Sequence, residues 1–222
     1  MSAEFFNPAS PFGNLTGWEV QTENPNTTAT RAQQLGSDGD EIAKKLHDHK
    51  TTTSCVYTLK TATNCKIPKF GEILNGWHCD TVVIQFTNTG FVQMTVTGHK
   101  HGTTEHPDCR TYTGSLTTIA SNFGCPSTLT GLQIPSGAGV RSYTWSLQGN
   151  HQDELGSEGE FLAAENYDGN ETADCELCDS GTITAQTGWD ITTASNSLGN
   201  TQAETASATA EHHLAHDTAA AE

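Results

Sequence analysis

The side chains best suited to chemistry gather near the middle of the chain, where His99, His101, His106 and Cys109 follow in close succession. On a strand, His99 and His101 would share a face because side chains alternate, and two imidazoles on one face can clasp a transition metal. Asp108 is the one carboxylate that local spacing offers as an outer partner. With no second ligand pair nearby, the run reads first as a polar inter-strand loop. The four residues therefore stand as metal candidates, not as an assigned metal site. His212, His213 and His216 invite the same thought, but the glutamate is misplaced for an HExxH helix. Cys175 and Cys178 form a CxxC, yet the cysteines at 55, 65, 79, 109 and 125 supply no second pair for structural zinc. A thioredoxin-type role would need a strand-to-helix junction in a βαβ setting, which the flanking sequence lacks. Asp38, Asp40 and Glu41 hint at a calcium loop without its remaining ligand positions.

Catalytic patterns are equally sparse. Carboxylates are plentiful in the last third, but none sits in an apolar run that would raise its pKa for acid–base work. There is no GxSxG, and no glycine-rich loop leads from a strand into a helix. The sequence thus predicts no catalytic residue, no cofactor and no enzyme.

Composition points to strands. About one residue in six is threonine, a β-branched residue that fits a half-solvated pleated surface better than a helix interior. The net charge of −16 is unevenly spread. All ten Lys and Arg lie at or before Arg141, against eleven Asp and Glu, whereas fifteen Asp and Glu follow it unopposed. Such a surface disfavours binding to DNA or to an anionic membrane, since phosphate contacts need clustered Lys and Arg. The opening MSAEFFNPASPFG has neither a basic n-region nor an apolar h-region, so no export signal is expected. Reduced, mostly buried thiols follow from that reading.

The elements that must position these residues are read from periodicity. Trp18–Thr22 and Thr52–Leu59 read as strands. Thr81–Thr87 places Val82, Ile84 and Phe86 on one face, and Phe91–Thr97 does the same with Val92, Met94 and Val96. Asn88-Thr89-Gly90 suits the turn between them. Arg141, Tyr143, Trp145 and Leu147 alternate with Ser142, Thr144, Ser146 and Gln148 over eight residues. Thr172–Leu177 and Thr182–Ala185 are strand-like, Asp168-Gly169 reads as a turn, and 203–213 reads as an edge strand or one added to a neighbour. One short helix is expected over Glu41–His49, capped by Asp40, with Ile42 and Leu46 on one face. MTVTGHKHG, WSLQGNHQD and SATAEHHLAHD each read as a strand ending in histidine, as if such ends met at one rim. Gly-Trp recurs at Trp18, Trp77 and Trp189. The expected organisation is an extended arm over 1–15, then a single antiparallel β-sandwich or barrel over 16–222. Long loops are expected at about 23–50, 99–139 and 151–170.

The segment from YTWSLQGNH through an acidic loop to GEFLAAENYDGNET resembles the strand–loop–strand segments of major tail tube proteins of tailed bacteriophages. The N-terminal half is similar in outline, with a Trp strand, a polar stretch through GSDGDEIAKKLHDHK, and a strand at SCVYTLK. The resemblance implies a β-sandwich flanked by a helix, in subunits that form hexameric rings stacked into a tube. Hairpins would line a continuous inner barrel, with Thr81–Thr97 and the strand from Arg141 as candidates. Its partners would be itself and other tail proteins, with DNA passing through unbound and no membrane involved. Its place would be the virion tail, after synthesis in the host cytoplasm. Two other readings are a capsid decoration or fibre protein, and a secreted carbohydrate-binding sandwich using Trp18, Trp77 or Trp189 as a stacking platform.

Overall fold

The alternation of apolar and hydroxyl side chains carries directly into the architecture. The computed structural model describes residues 10–35, 37–38, 41–101, 109–156, 161–178, 181–197 and 204–217. Within them the strands are β1 (Trp18–Glu23), β2 (Asn26–Leu35), β3 (Glu41–Leu59), β4 (Ile73–Leu74), β5 (Trp77–Thr87) and β6 (Gln93–His101). The second half adds β7 (Leu132–Gln133), β8 (Val140–Leu155), β9 (Phe161–Leu177), β10 (Thr184–Ala185), β11 (Asp190–Ser197) and β12 (Thr205–His213). Ten of these form one antiparallel sheet in the order β1-β3-β6-β5-β8-β9-β12-β11. β2 lies beside the first part of β3, and β4 beside the start of β5. β7 and β10 make a separate two-stranded ribbon.

The mainly β, antiparallel expectation holds. The barrel alternative does not, because the sheet stays open between β1 and β2 at one margin and β11 at the other. One cross-strand row shows how the core is built. Tyr57, Met94, Ile84, Trp145, Ala173 and Ala210 sit opposite one another across six strands, and all are buried. Burying each large member contributes about 1.5–3 kcal/mol. The alanines at the far end leave room, and the core thins towards β11. Tyr112, Ile119, Leu129 and Leu132 from 109–139 join this core, so the second layer of a sandwich-like arrangement is built mostly of loops.

The opposite face explains the threonine content. Its Ser and Thr side chains, half-buried in mid-sheet and exposed at β11, bond across strands: Thr81 to Thr97 at 2.6 Å, Ser195 to Ser207 at 2.8 Å, and Ser146 to Thr172. Cross-strand hydroxyl pairs of this kind each contribute roughly 0.2–1 kcal/mol. The recurring Gly-Trp also has a structural use. Gly17, Gly76 and Gly188 all adopt positive φ, a conformation that glycine tolerates without steric cost. Each turn delivers a buried Trp at or just before a strand start.

Several local expectations are corrected. The short helix expected over Glu41–His49 is instead the first half of β3, paired with β2 from Leu35↔Glu41 to Thr30↔His47. Ladder bonds to β2, the strand just before it in the chain, outweigh the weak helical spacing of Ile42 and Leu46. The regions 23–50 and 151–170, expected as loops, are largely long hairpin arms. Asp168-Gly169 is not a chain reversal but a bulge inside β9, where Asp168 and Gly169 oppose Gly149 alone and Asp168 has φ 52°. The tail strand is not an edge, since β12 lies between β9 and β11. The end of the N-terminal arm folds onto its own chain, with Phe12 buried edge-to-face against Trp77 at 6.3 Å.

Candidate functional site

The bulge in β9 positions the most concentrated group of ionisable side chains in the described structure. A Cβ at Gly149 would meet the Phe70 ring at 2.2 Å, and one at Gly169 would meet Tyr112 at the same distance. Only glycine lets these rings press on the backbone. Beyond this point the far part of the β8–β9 hairpin brings His151, Asp153 and Asn166 onto residues of β3, β5 and β6. By alternation His99 and His101 belong to the strand face of Thr95 and Thr97. They are nonetheless buried, at 1% and 7% exposure, beneath this hairpin.

The contacts form one network. Asp80 sits in a bulge of β5, where the register slips between Cys79 and Thr81. Its carboxylate contacts Nδ1 of His78 at 2.7 Å and Nδ1 of His99 at 2.8 Å. Asp153 reaches Nε2 of His101 at 2.9 Å and Nε2 of His151 at 2.6 Å. The same carboxylate lies 3.2 Å from Lys50 and 3.7 Å from Nε2 of His99. The Asn166 side-chain oxygen faces Nε2 of His78 at 3.0 Å and Nδ1 of His151 at 2.7 Å, while its amide donates to the Arg110 carbonyl. The rings also pack on one another, with His78 and His151 centroids 4.1 Å apart and His99 and His151 4.7 Å apart.

Burial and charge divide the protonation states. Desolvation pushes His78 down to about 4, only partly opposed by its bond to Asp80. His99 shifts the other way. Desolvation lowers it, but its bonds to Asp153 and Asp80 outweigh that and hold it above the ordinary histidine value. His101 is lowered, chiefly by burial. Burial would raise Asp80, yet its bonds to His78 and His99 hold it well below the usual carboxylate range. Asp80, half-buried, thus remains an anion held by its bonds to His78 and His99.

Of the four metal candidates, the structure brings His99 and His101 together, with ring centroids 5.6 Å apart. His106 lies outside the described residues. Cys109 lines an open groove with Arg110, Gln152, Glu154, Ala163, Ala164 and Glu165. His78, Asp80, His151, Asp153 and Asn166 carried no local signal as a group. The one available hint was the pair of strands ending in GHKHG and GNHQD, whose histidines do meet here. The third such strand goes elsewhere: His212 contacts the buried Glu171 at 3.0 Å and stacks on Trp189.

The remaining motifs settle into structural places. All seven cysteines are free thiols: Cys55, Cys79 and Cys175 are buried, Cys65, Cys109 and Cys125 half-buried, and Cys178 exposed. In the CxxC, therefore, Cys175 faces the core and Cys178 the solvent. Trp18, Trp77 and Trp189 are each at most 8% exposed, so they form no surface stacking platform. Compared with protein-family models and with curated proteins, the chain matches none.

Proposed function

We propose that this chain is a self-assembling virion structural protein, a tail-tube-type subunit whose copies join through their sheet margins into stacked hexameric rings. The observation that carries this reading is the open ten-stranded sheet with two different margins. β11 pairs with β12 alone among the described strands, and all eight of its residues are exposed. A strand left in this state offers a row of backbone donors and acceptors to another chain. At the other margin β2 pairs with β3 alone. Joining two unlike margins is a head-to-tail contact, which makes a closed ring when the rotation between copies closes.

Charge favours the same pairing. The β11 and β12 strands contain Asp190 and Glu211 and no Lys or Arg. β2 and the adjoining part of β3 contain Arg31, Lys44, Lys45 and Lys50 against Glu41 and Asp48, so this margin keeps a positive balance. Opposite charge on facing margins steers association and disfavours like-with-like pairing. A channel built from such subunits would owe its lack of DNA binding to the acidic last third, which has no Lys or Arg after Arg141.

Lysines placed in β11 test this directly. Thr193→Lys with Ser195→Lys changes two exposed positions and puts positive charge on the acidic margin. The wild-type chain is expected to sediment as an oligomer, and the double variant as a folded monomer with an unchanged far-ultraviolet spectrum. An oligomer that survives both lysines would remove β11 from the interface.

A further inference from the structure

We propose that the His78, His99, His101, His151 and Asp153 cluster is a structural binding site for one divalent transition ion of the zinc type, pinning the β8–β9 hairpin onto β5 and β6. Two overlapping trios, His78–His99–His151 and His99–His101–Asp153, each hold one ligand atom per residue within 4.8 Å of the others. They share His99, which brings ligands of both trios within reach of one site.

The orientation of the rings supports this assignment. Asp80 takes the Nδ1 side of both His78 and His99, at 2.7 and 2.8 Å. When Nδ1 of His99 carries the proton, its Nε2 can offer a lone pair on the side of Asp153, 3.7 Å away, whereas an ion that takes Nε2 of His78 displaces the proton now shared with the Asn166 oxygen at 3.0 Å. Nε2 of His101 and of His151 point at the same Asp153 carboxylate, at 2.9 and 2.6 Å. Imidazole nitrogens and a carboxylate converging from three strands form the donor set that zinc, copper and nickel prefer to magnesium or calcium. An outer carboxylate fixing the tautomer of two ligand histidines is a recurrent feature of such centres, and Asp80 is placed for it. Asp80 is thus a positioning residue rather than a ligand. The near-complete burial of His78 and His99, at 0% and 1% exposure, favours a closed structural site over an open reactive one.

This inference does not depend on the assembly reading, because an ion here would bridge strands of one chain. The test uses untagged full-length protein, stripped with chelator, reloaded with Zn2+ and passed through gel filtration before elemental analysis. About one retained ion per chain is expected, with a higher melting temperature than the stripped protein. Loading with Co2+ should give visible absorption bands typical of nitrogen and oxygen ligands. His151→Gln and Asp153→Asn should lose the ion while keeping the far-ultraviolet spectrum, and Asp80→Asn should weaken binding about 10–100-fold. A triple variant of His212, His213 and His216 to Gln should retain the ion. The proposal is overturned if the reloaded wild type keeps no stoichiometric metal, or if the tail variant loses it while His151→Gln and Asp153→Asn do not.

Discussion

Trp145→Ala is expected to lower the unfolding free energy by about 3–5 kcal/mol, read as a shift in urea midpoint at unchanged slope. Trp145 is fully buried in the cross-strand row from Tyr57 to Ala210, between Ile84 on β5 and Ala173 on β9. Its far ring edge is covered by the 109–139 loop so closely that a Cβ at Gly114 would meet it at 2.4 Å. Truncation leaves a cavity that neither the sheet nor this loop can refill without breaking ladder bonds. Domains of this size are stable by only about 5–15 kcal/mol, so such a loss removes a large share of the total. Trp145→Phe keeps most of the ring and should cost less than half as much. A loss below about 1 kcal/mol for the alanine variant would mean that the loop layer is not packed on the sheet as described.

Glu171→Ala should be nearly as damaging, for an electrostatic reason. Glu171 is wholly buried on β9 and accepts bonds from the Trp145 indole at 2.9 Å, the Ser115 amide at 2.5 Å and the Ser115 hydroxyl at 2.6 Å. His212 closes the set from β12 at 3.0 Å. The carboxylate therefore ties loop, sheet centre and tail strand at one point. Removing it strands the buried Trp145 indole and breaks the pair with His212 and the bonds from Ser115, for which about 3–5 kcal/mol is the expected cost. Glu171→Gln keeps the shape and one acceptor oxygen, and should cost about 1–3 kcal/mol. Because Trp145 and Glu171 touch, losses in a Trp145→Phe, Glu171→Gln cycle should not add, with a coupling of about 0.5 kcal/mol or more. Strict additivity would show that the indole bond contributes nothing.

The parts of the fold legible in the sequence are those specified by local alternation. β5, β6 and the first half of β8 each show a period of two with large apolar residues, and each faces the core as expected. Where a segment's state was set by its pairing partner rather than by its own spacing, the pattern misled. Ile42 and Leu46 are four apart, so a helix was the natural local reading, yet β2 captures that segment as a strand. β11 carries no apolar alternation at all, and its existence depends on pairing with β12. β12 itself was visible as alternating Ala and polar residues, but its neighbours were not.

The site was legible only in part, for the same reason. His99 and His101 announce themselves because they share one strand face two residues apart. Asp80 enters through a bulge, and His151, Asp153 and Asn166 arrive through a second bulge in β9. No spacing rule links positions 80, 99, 151 and 166, which only the sheet order brings together. The charge split at Arg141 was legible in full, but the sheet order spreads it: β8 and β9, inside the sheet, carry more of the acidic residues than β12 and β11 at its end.

Negative-stain imaging of the purified, untagged chain tests the assembly most directly. Six-fold rings, or tubes built from them, are the expected result, and they should disappear in the Thr193→Lys, Ser195→Lys variant. Three-fold particles, or dispersed monomers at concentrations where tubes should form, would contradict it.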